Sequence, residues 1–140
     1  LRQALPLAVF GVLIVVTIHL AAQPRLKDAY DLKPLAEKLA SYERDGYALG
    51  HYGNYHAQFQ FLGRLIGYVA EIGDGELQWL HDNPKAKVVA YRYTVPDGVQ
   101  PDYVQKFRGR LAIIWDGKQV ANDPTIAKRD ARPDKDEDDD

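Results

Sequence analysis

An uncharged apolar run near the start of the chain constrains its fold more than any other feature. The run covers Ala4–Ala22, and charged residues flank it, with Arg2 on one side and Arg25 and Lys27 on the other. Nineteen helical residues rise about 1.5 Å each and reach roughly 28 Å, which is close to the hydrocarbon thickness of a bilayer. The run therefore predicts a transmembrane helix over residues 1–23, with the lipid bilayer as a partner.

The same run allows two other interpretations. As a signal peptide it would have only residues 1–3 as its basic region, and residues 19–23 (HLAAQ) make a poor cleavage site. As a buried helix it would belong to the core of a globular domain. The sequence starts with Leu1 instead of methionine, which favours the final span of a larger membrane protein.

Charge outside the run restricts the classes of partner. Residues 128–140 hold four basic and seven acidic residues, a net charge of −3, while the whole chain has a formal net charge of −2, so residues 1–127 sit near +1. A near-neutral body gives no reason to expect nucleic acid as a partner. The acidic end cannot bury enough apolar surface to fold. Residues 123–140 are therefore predicted to form a disordered acidic tail.

A short linker, residues 24–30, leads from the run to an amphipathic helix over residues 31–46. Asp31 is a plausible N-cap, and Pro34 in the first turn suits a helix start. One apolar stripe marks the buried side of this helix; its residues are Leu32, Leu35, Ala36 and Leu39.

Strand and helix patterns alternate after this helix. YALGHY, IGYVAEI and AKVVAYRYT read as strands, and short helices are predicted to begin near Asn54 and Asp74. The pair Asp116-Gly117 is a strong hairpin signal between two further strands. This order predicts the α/β class: an N-terminal transmembrane helix followed by a small open α/β domain over residues 31–122, with an antiparallel hairpin at one edge.

The chain offers few groups for catalysis or metal binding. It contains no Gly-rich phosphate loop, no GxSxG elbow and no cysteine. His51 and His56 are five residues apart across a strand-to-helix junction, whereas a zinc pair on one helix needs a spacing of four. Ser41, the only serine, sits in the amphipathic helix. We therefore expect no catalytic residue, no metal ligand and no cofactor in this sequence.

Two features of the late segment FRGRLAIIW have simple interpretations. Trp115 is predicted to be a packed strand aromatic. Arg108 and Arg110 lie two residues apart on a predicted strand, so they share a face. That face is either solvated or close enough to a membrane to meet lipid phosphates.

The segment Gly50–Leu65 (GHYGNYHAQFQFLGRL) combines histidines, aromatic residues and an arginine between glycines. In one interpretation its apolar side chains, Phe59, Phe61 and Leu62, anchor a core and the glycines permit tight turns. In the other interpretation the segment borders a ligand cavity; the residues predicted to bind substrate there are Tyr52, Tyr55, His56 and Arg64. Arginine suits a phosphate through its fork of donors.

This segment resembles the C-terminal extramembrane domain of bacterial glycosyltransferases of the protein O-mannosyltransferase and aminoarabinose-transferase type. The resemblance rests on a strand ending in Tyr-Gly, a following tyrosine and an aromatic-x-Gly-Arg unit; the matching residues are Tyr52, Gly53, Tyr55, Phe61, Gly63 and Arg64. ELQWLHDNPKAKVVAY and FRGRLAIIW fit later parts of that domain, so the resemblance covers roughly residues 5–122. The sequence departs from the family pattern at Gln60, where the family often has an aromatic residue.

The resemblance implies an accessory domain, not catalytic alone, of a membrane enzyme that takes a sugar from a polyprenyl-phosphate carrier. The catalytic carboxylate of such an enzyme lies in its first extramembrane loop, outside this sequence. The implied partners are the remainder of a multi-span enzyme and a lipid-linked sugar donor, and the implied location is the periplasmic side of the bacterial inner membrane. The alternative is a single-span anchored binding module without enzymatic activity.

Overall fold

The structure, a computed structural model, describes residues 4–75 and 77–132. The chain falls into two compact units, divided between Asp31 and Leu32. The first unit is a single helix, α1 (Ala4–Tyr30), and the second is an α/β domain.

The helix α1 extends further than the apolar run that predicts it. It continues to Tyr30 through Arg25, Lys27 and Asp28, so charged residues lie in its last turns. Within residues 4–75 and 77–132, no helix has the length and apolar character needed to span a bilayer. This finding overturns the prediction of a transmembrane helix over residues 1–23, and residues 24–30 are helical where a linker was expected.

Within residues 32–75 and 77–132, the α/β domain has five strands and five helical segments. The strands are β1 (Ala48–Tyr52), β2 (Val69–Ile72), β3 (Ala86–Arg92), β4 (Tyr103–Phe107) and β5 (Arg110–Asp116). The helices are α2 (Lys33–Arg44), α3 (Gln58–Gly63), α4 (Gln78–Asp82) and α5 (Gly117–Asn122), followed by the 3-10 helix η1 (Pro124–Ile126).

The five strands form one mixed sheet in the order β2-β1-β3-β5-β4. β1 runs parallel to both β2 and β3, whereas β5 is antiparallel to β3 and to β4. The chain leaves β1 towards β2 on one side and then crosses back to place β3 on the other side. The topology therefore changes direction between β1 and β3, which is the position where open α/β sheets form a crevice at the carboxyl ends of their strands.

Helices cover both faces of the sheet. Successive strand residues point to opposite sides, so the apolar strand residues form a cluster on each face that the helices bury. On one face α2 and α3 pack through Leu35, Leu39 and Phe59 against strand residues that include Val89. On the other face α4, α5 and η1 pack on a second apolar cluster around Trp115, which is fully buried as the sequence predicts. The result is a three-layer domain with one core on each side of the sheet.

The hairpin lies elsewhere than predicted. Asp116 does not turn the chain into another strand, because its side chain accepts a hydrogen bond from the backbone N–H of Lys118 and caps α5. The hairpin joins β4 to β5 through Arg108 and Gly109, which have φ angles of 50° and 73°. Two consecutive left-handed residues suit the right-handed twist of a hairpin. A capping box therefore overrides the Asp-Gly hairpin signal at this point.

Three local predictions around the first helices are also wrong. The N-cap of α2 is Leu32 and not Asp31. The residue before α3 is Ala57, in a left-handed conformation, and not the predicted cap Asn54. Phe61 is 86% exposed and Leu62 is 46% exposed, so only Phe59 of the three predicted anchors enters the core.

The fold extends past the predicted end of the domain at residue 122. Ile126 and Ala127 are buried in the second apolar cluster. Asp130 accepts hydrogen bonds from the backbone N–H groups of Tyr93 and Thr94, at 2.7 and 2.9 Å. Residues 123–132, predicted to belong to a disordered tail, therefore pack on the domain, while residues 133–140 of that predicted tail lie outside the described residues.

Candidate functional site

A cavity of about 860 Å³ opens at the carboxyl ends of β1 and β3. It lies at the change of topology between these two strands, where ligands bind in open α/β sheets. Its lining residues come from β1 and the loop after it, from β3, from the β4–β5 hairpin and from the C-terminal segment; they are Leu32, His51, Tyr52, Gly53, Asn54, His56, Gln58, Tyr91, Phe107, Arg108, Arg110, Ala127 and Arg129.

His51 forms the floor of the cavity. It is the fourth residue of β1, and only 3% of its surface is exposed. Its Nδ1 lies 3.1 Å from the backbone oxygen of Gly53. A carbonyl oxygen can only accept, so Nδ1 carries the ring proton and Nε2 is left as an acceptor. Nε2 has no hydrogen-bond partner within the described residues.

Three aromatic rings surround the His51 imidazole. The ring centroids of Tyr55, Phe59 and Tyr91 lie 5.6, 6.1 and 5.5 Å from its centroid. Burial in this setting lowers the pKa of His51, although the hydrogen bond to Gly53 opposes the shift. The imidazole is therefore held neutral, with a fixed tautomer.

Three arginines form the cationic wall of the cavity. Arg108 and Arg110 flank Gly109 in the β4–β5 hairpin, and Arg129 comes from the C-terminal segment. Hydrogen bonds from Arg110 and Arg129 to the phenol lower the pKa of Tyr93, with Arg110 the larger influence. The guanidinium carbon of Arg110 also lies 5.3 Å from the centroid of the Tyr93 ring. Two arginines from distant parts of the chain therefore meet at one tyrosine.

The buried side chain of Arg92 holds the C-terminal segment that carries Arg129. Its Nη1 donates to the backbone oxygens of Thr125, Ile126 and Lys128, at 2.7, 3.2 and 2.5 Å. Arg92 is the last residue of β3, so this contact fixes the segment at the carboxyl end of the sheet. Because Nη1 carries only two N–H groups, one of them is shared between two of the three carbonyl oxygens.

A series of hydrogen-bonded polar side chains borders the cavity beside Tyr52. The Tyr52 hydroxyl donates to Oδ1 of Asp74 in a short hydrogen bond, and the other oxygen of Asp74 lies 3.0 Å from Nζ of Lys128. Burial, followed by the bond to Asp74, raises the pKa of Tyr52 to about 12. The hydrogen bond from Tyr52 and then the one from Lys128 lower the pKa of Asp74. Tyr52 therefore stays protonated and acts as a donor, and both oxygens of the Asp74 carboxylate are already occupied.

The structure places the four predicted binding residues in different surroundings. Tyr52 and His56 line the cavity. Tyr55 stacks on Phe59 beside it, with ring centroids 5.6 Å apart, and its backbone N–H donates to Glu71. Arg64 is exposed, lies outside the cavity lining and ends α3 in a left-handed conformation with φ 51°.

The residues that carry most of the cavity's charge and polarity are not those that the sequence predicts to bind substrate. From the sequence, His51 is a candidate only for metal binding, Arg110 lies on one face of a predicted strand, and Arg129 falls in the predicted tail. One signal was present: His51 and Tyr91 both lie near the carboxyl ends of predicted strands, which meet at one edge of a parallel sheet.

The described residues contain no group of three His, Cys, Asp or Glu side chains arranged to hold a metal ion. The cavity instead offers cationic donors, a neutral imidazole and aromatic surface. Comparison of the sequence with protein-family models, with curated proteins and with solved structures found no match.

Proposed function

We propose that this domain binds a phosphate-bearing ligand in the cavity at the carboxyl ends of β1 and β3. One observation carries the proposal: Arg108, Arg110 and Arg129, from two distant segments of the chain, line the same cavity. A guanidinium group presents a planar fork of N–H donors that matches the oxygens of a phosphate. The location between β1 and β3 is also where open α/β sheets commonly bind ligands.

The other charges near the cavity favour an anionic ligand. No carboxylate is among the described residues that line it. Asp74, at its border, is already engaged by Tyr52 and Lys128. An anion in the cavity would therefore be attracted by the guanidinium groups that line it, whereas a cationic ligand would be repelled.

We further propose that the domain serves as an accessory part of a polyprenyl-phosphate-sugar-dependent glycosyltransferase. The resemblance of residues 5–122 to the extramembrane domain of such enzymes supports this role, and a lipid-linked sugar donor carries the phosphate that the arginines would bind. Catalysis would belong to the remainder of the enzyme. The coding sequence upstream of Leu1 tests this part: hydrophobic spans with an acidic residue in the first extramembrane loop would support it, and a start codon directly upstream would refute it.

Titration of the full ¹⁵N-labelled chain with methyl phosphate, followed by NMR, tests the binding proposal. The amide signals of Arg108–Arg110 and of Ala127–Arg129 are expected to shift together and to saturate. Arg110→Ala should weaken binding by roughly 10-fold or more, because hydrogen bonds to charged groups contribute about 1.5–3 kcal/mol.

Arg64→Ala is the matched control, because it removes an exposed arginine outside the cavity. It should leave the affinity for methyl phosphate unchanged. Equal weakening by both substitutions would show that only net charge matters and would refute a specific site. Shifts scattered over the surface, without saturation, would refute it as well.

A further inference from the structure

We propose that His51 and Tyr55 form a second subsite that recognises a hydroxyl group of the ligand. The inference rests on the proposed phosphate binding and adds a chemical class to it. The cavity would then select hydroxylated phosphate esters, such as sugar phosphates, over phosphate esters that lack a hydroxyl.

The two ring nitrogens of His51 differ in their hydrogen bonding. Nδ1 is used by the oxygen of Gly53, so the ring cannot turn over to offer its other nitrogen without losing that bond. Nε2 is buried and has no partner among the described residues. Buried polar atoms in proteins are almost always paired, and an unpaired one costs about 1–3 kcal/mol. A buried acceptor beside a cavity therefore indicates that a bound molecule supplies the donor.

The second group of the proposed subsite is Tyr55. Its hydroxyl oxygen is also buried, and the backbone N–H groups of Phe59 and Gln60 lie near enough to act on it as donors, but the described part of the chain offers no acceptor for the phenol proton. The ring centroids of Tyr55 and His51 lie 5.6 Å apart, so both groups belong to one local cluster. A phenol can donate as well as accept. A ligand hydroxyl could donate to Nε2 of His51 and accept from Tyr55, which would satisfy both buried groups.

A neutral hydroxyl is the donor that fits these groups. An ammonium group is disfavoured, because Arg108, Arg110 and Arg129 line the same cavity. A phosphate oxygen is disfavoured too, because the neutral imidazole presents a lone pair to it. A hydroxyl group carries no charge and donates one hydrogen bond, so it matches the acceptor. Aromatic side chains of Tyr91 and Phe107, which also line the cavity, offer apolar surface for the carbon skeleton.

Access to this subsite requires a local movement. Nε2 of His51 and the Tyr55 hydroxyl oxygen are both buried, and Tyr55 is not among the residues that line the cavity. The backbone N–H of Tyr55 is held by Glu71 at 2.8 Å, so the Tyr55 side chain, and not its backbone, has to move. Rotation of one aromatic side chain on a loop is a small rearrangement of the kind that is common at binding sites.

Calorimetric titration of the full chain with glucose 1-phosphate and with methyl phosphate tests the proposal. Both ligands carry a phosphate ester, but only the first has ring hydroxyls. Glucose 1-phosphate is expected to bind about 3- to 10-fold more tightly, as one or two neutral hydrogen bonds would provide. His51→Phe and Tyr55→Phe should each remove most of this preference.

Two further measurements make the outcomes distinct. Tyr68→Phe, which alters an exposed tyrosine, should retain the preference. The ¹⁵N signal of His51 Nε2 in the unmodified chain should shift with glucose 1-phosphate and not with methyl phosphate, which tests the subsite even if His51→Phe does not fold. Equal affinity for the two ligands would refute the subsite and leave phosphate binding intact. Absence of binding by either ligand would refute both proposals.

Discussion

Nζ of Lys87 lies 2.6 Å from Oδ2 of Asp102, at the end of the sheet opposite the cavity. The same ammonium is 2.9 Å from Asp116, and its side chain is only 7% exposed. Burial alone would lower the pKa of Lys87, but the hydrogen bonds that the ammonium donates to both carboxylates raise it. These ion pairs link the loop before β4 and the start of α5 to the N-terminal end of β3.

Lys87→Met is therefore expected to destabilise the domain by about 1–3 kcal/mol, because it leaves two partly buried carboxylates without their cation. Urea unfolding followed by circular dichroism measures the change. Lys106→Met is the matched control on the exposed side of β4 and should change the free energy of unfolding by under about 0.5 kcal/mol. Similar losses in both variants would contradict a structural role for the pairing.

Stability should depend on pH through His51. Its pKa in the folded state is below the ordinary value of 6.5, so the unfolded chain binds the proton more tightly. The stabilisation is complete above pH 6.5 and is lost as the pH falls below that value. Urea midpoints at pH 8 and pH 5 measure the difference. His51→Phe should make it smaller, whereas Tyr68→Phe, at an exposed site, should not.

Arg92→Met should release the C-terminal segment from the sheet. It removes three hydrogen bonds to the carbonyls of residues 125, 126 and 128. Amide exchange at Ile126 and Ala127 should become much faster, and binding of methyl phosphate should weaken because Arg129 loses its position. Arg92→Lys should give an intermediate result, since an ammonium cannot reproduce the planar fork. Unchanged exchange in the methionine variant would contradict this account.

Gly50→Ala should destabilise the domain by about 1–3 kcal/mol through overpacking. A Cβ atom at this position would lie 2.4 Å from Cδ1 of Ile72, which is fully buried, and 3.1 Å from the ring of Trp79. Gly75→Ala is the control, because a Cβ atom there meets nothing within 4 Å. Thermal melting of both variants measures the difference. Equal melting temperatures would contradict the prediction and would show that Ile72 and Trp79 move aside for the added Cβ atom.

The sheet could be predicted in part because its central strands carry strong local patterns. The predicted strands coincide with β1, β2 and β3, and the apolar stripe around Leu35 and Leu39 is the buried side of α2. These elements follow from periodicity and β-propensity within a few residues. β4 was missed, because its alternating burial involves polar residues such as Gln105 and Lys106.

The cavity could not be predicted because it depends on contacts between distant residues. Arg129 looks like part of a charged tail, because the sequence does not reveal that Arg92, far away along the chain, holds the backbone oxygen of the preceding residue, Lys128. Asp116-Gly117 has the composition of a hairpin turn, yet the hydrogen bonds of Asp116 start a helix. Local composition does not distinguish these outcomes, since tertiary contacts decide between them.

The hold of Arg92 on the C-terminal segment has a consequence for biosynthesis. A ribosome makes the chain from its N-terminus, so β1, β3 and both hairpin arginines emerge before Arg129 does. The contacts of Arg92 with the carbonyls of residues 125, 126 and 128 can form only after that segment has been made. The cavity is thus among the last parts of the domain to be completed, since Arg129 follows directly on the residues that Arg92 holds.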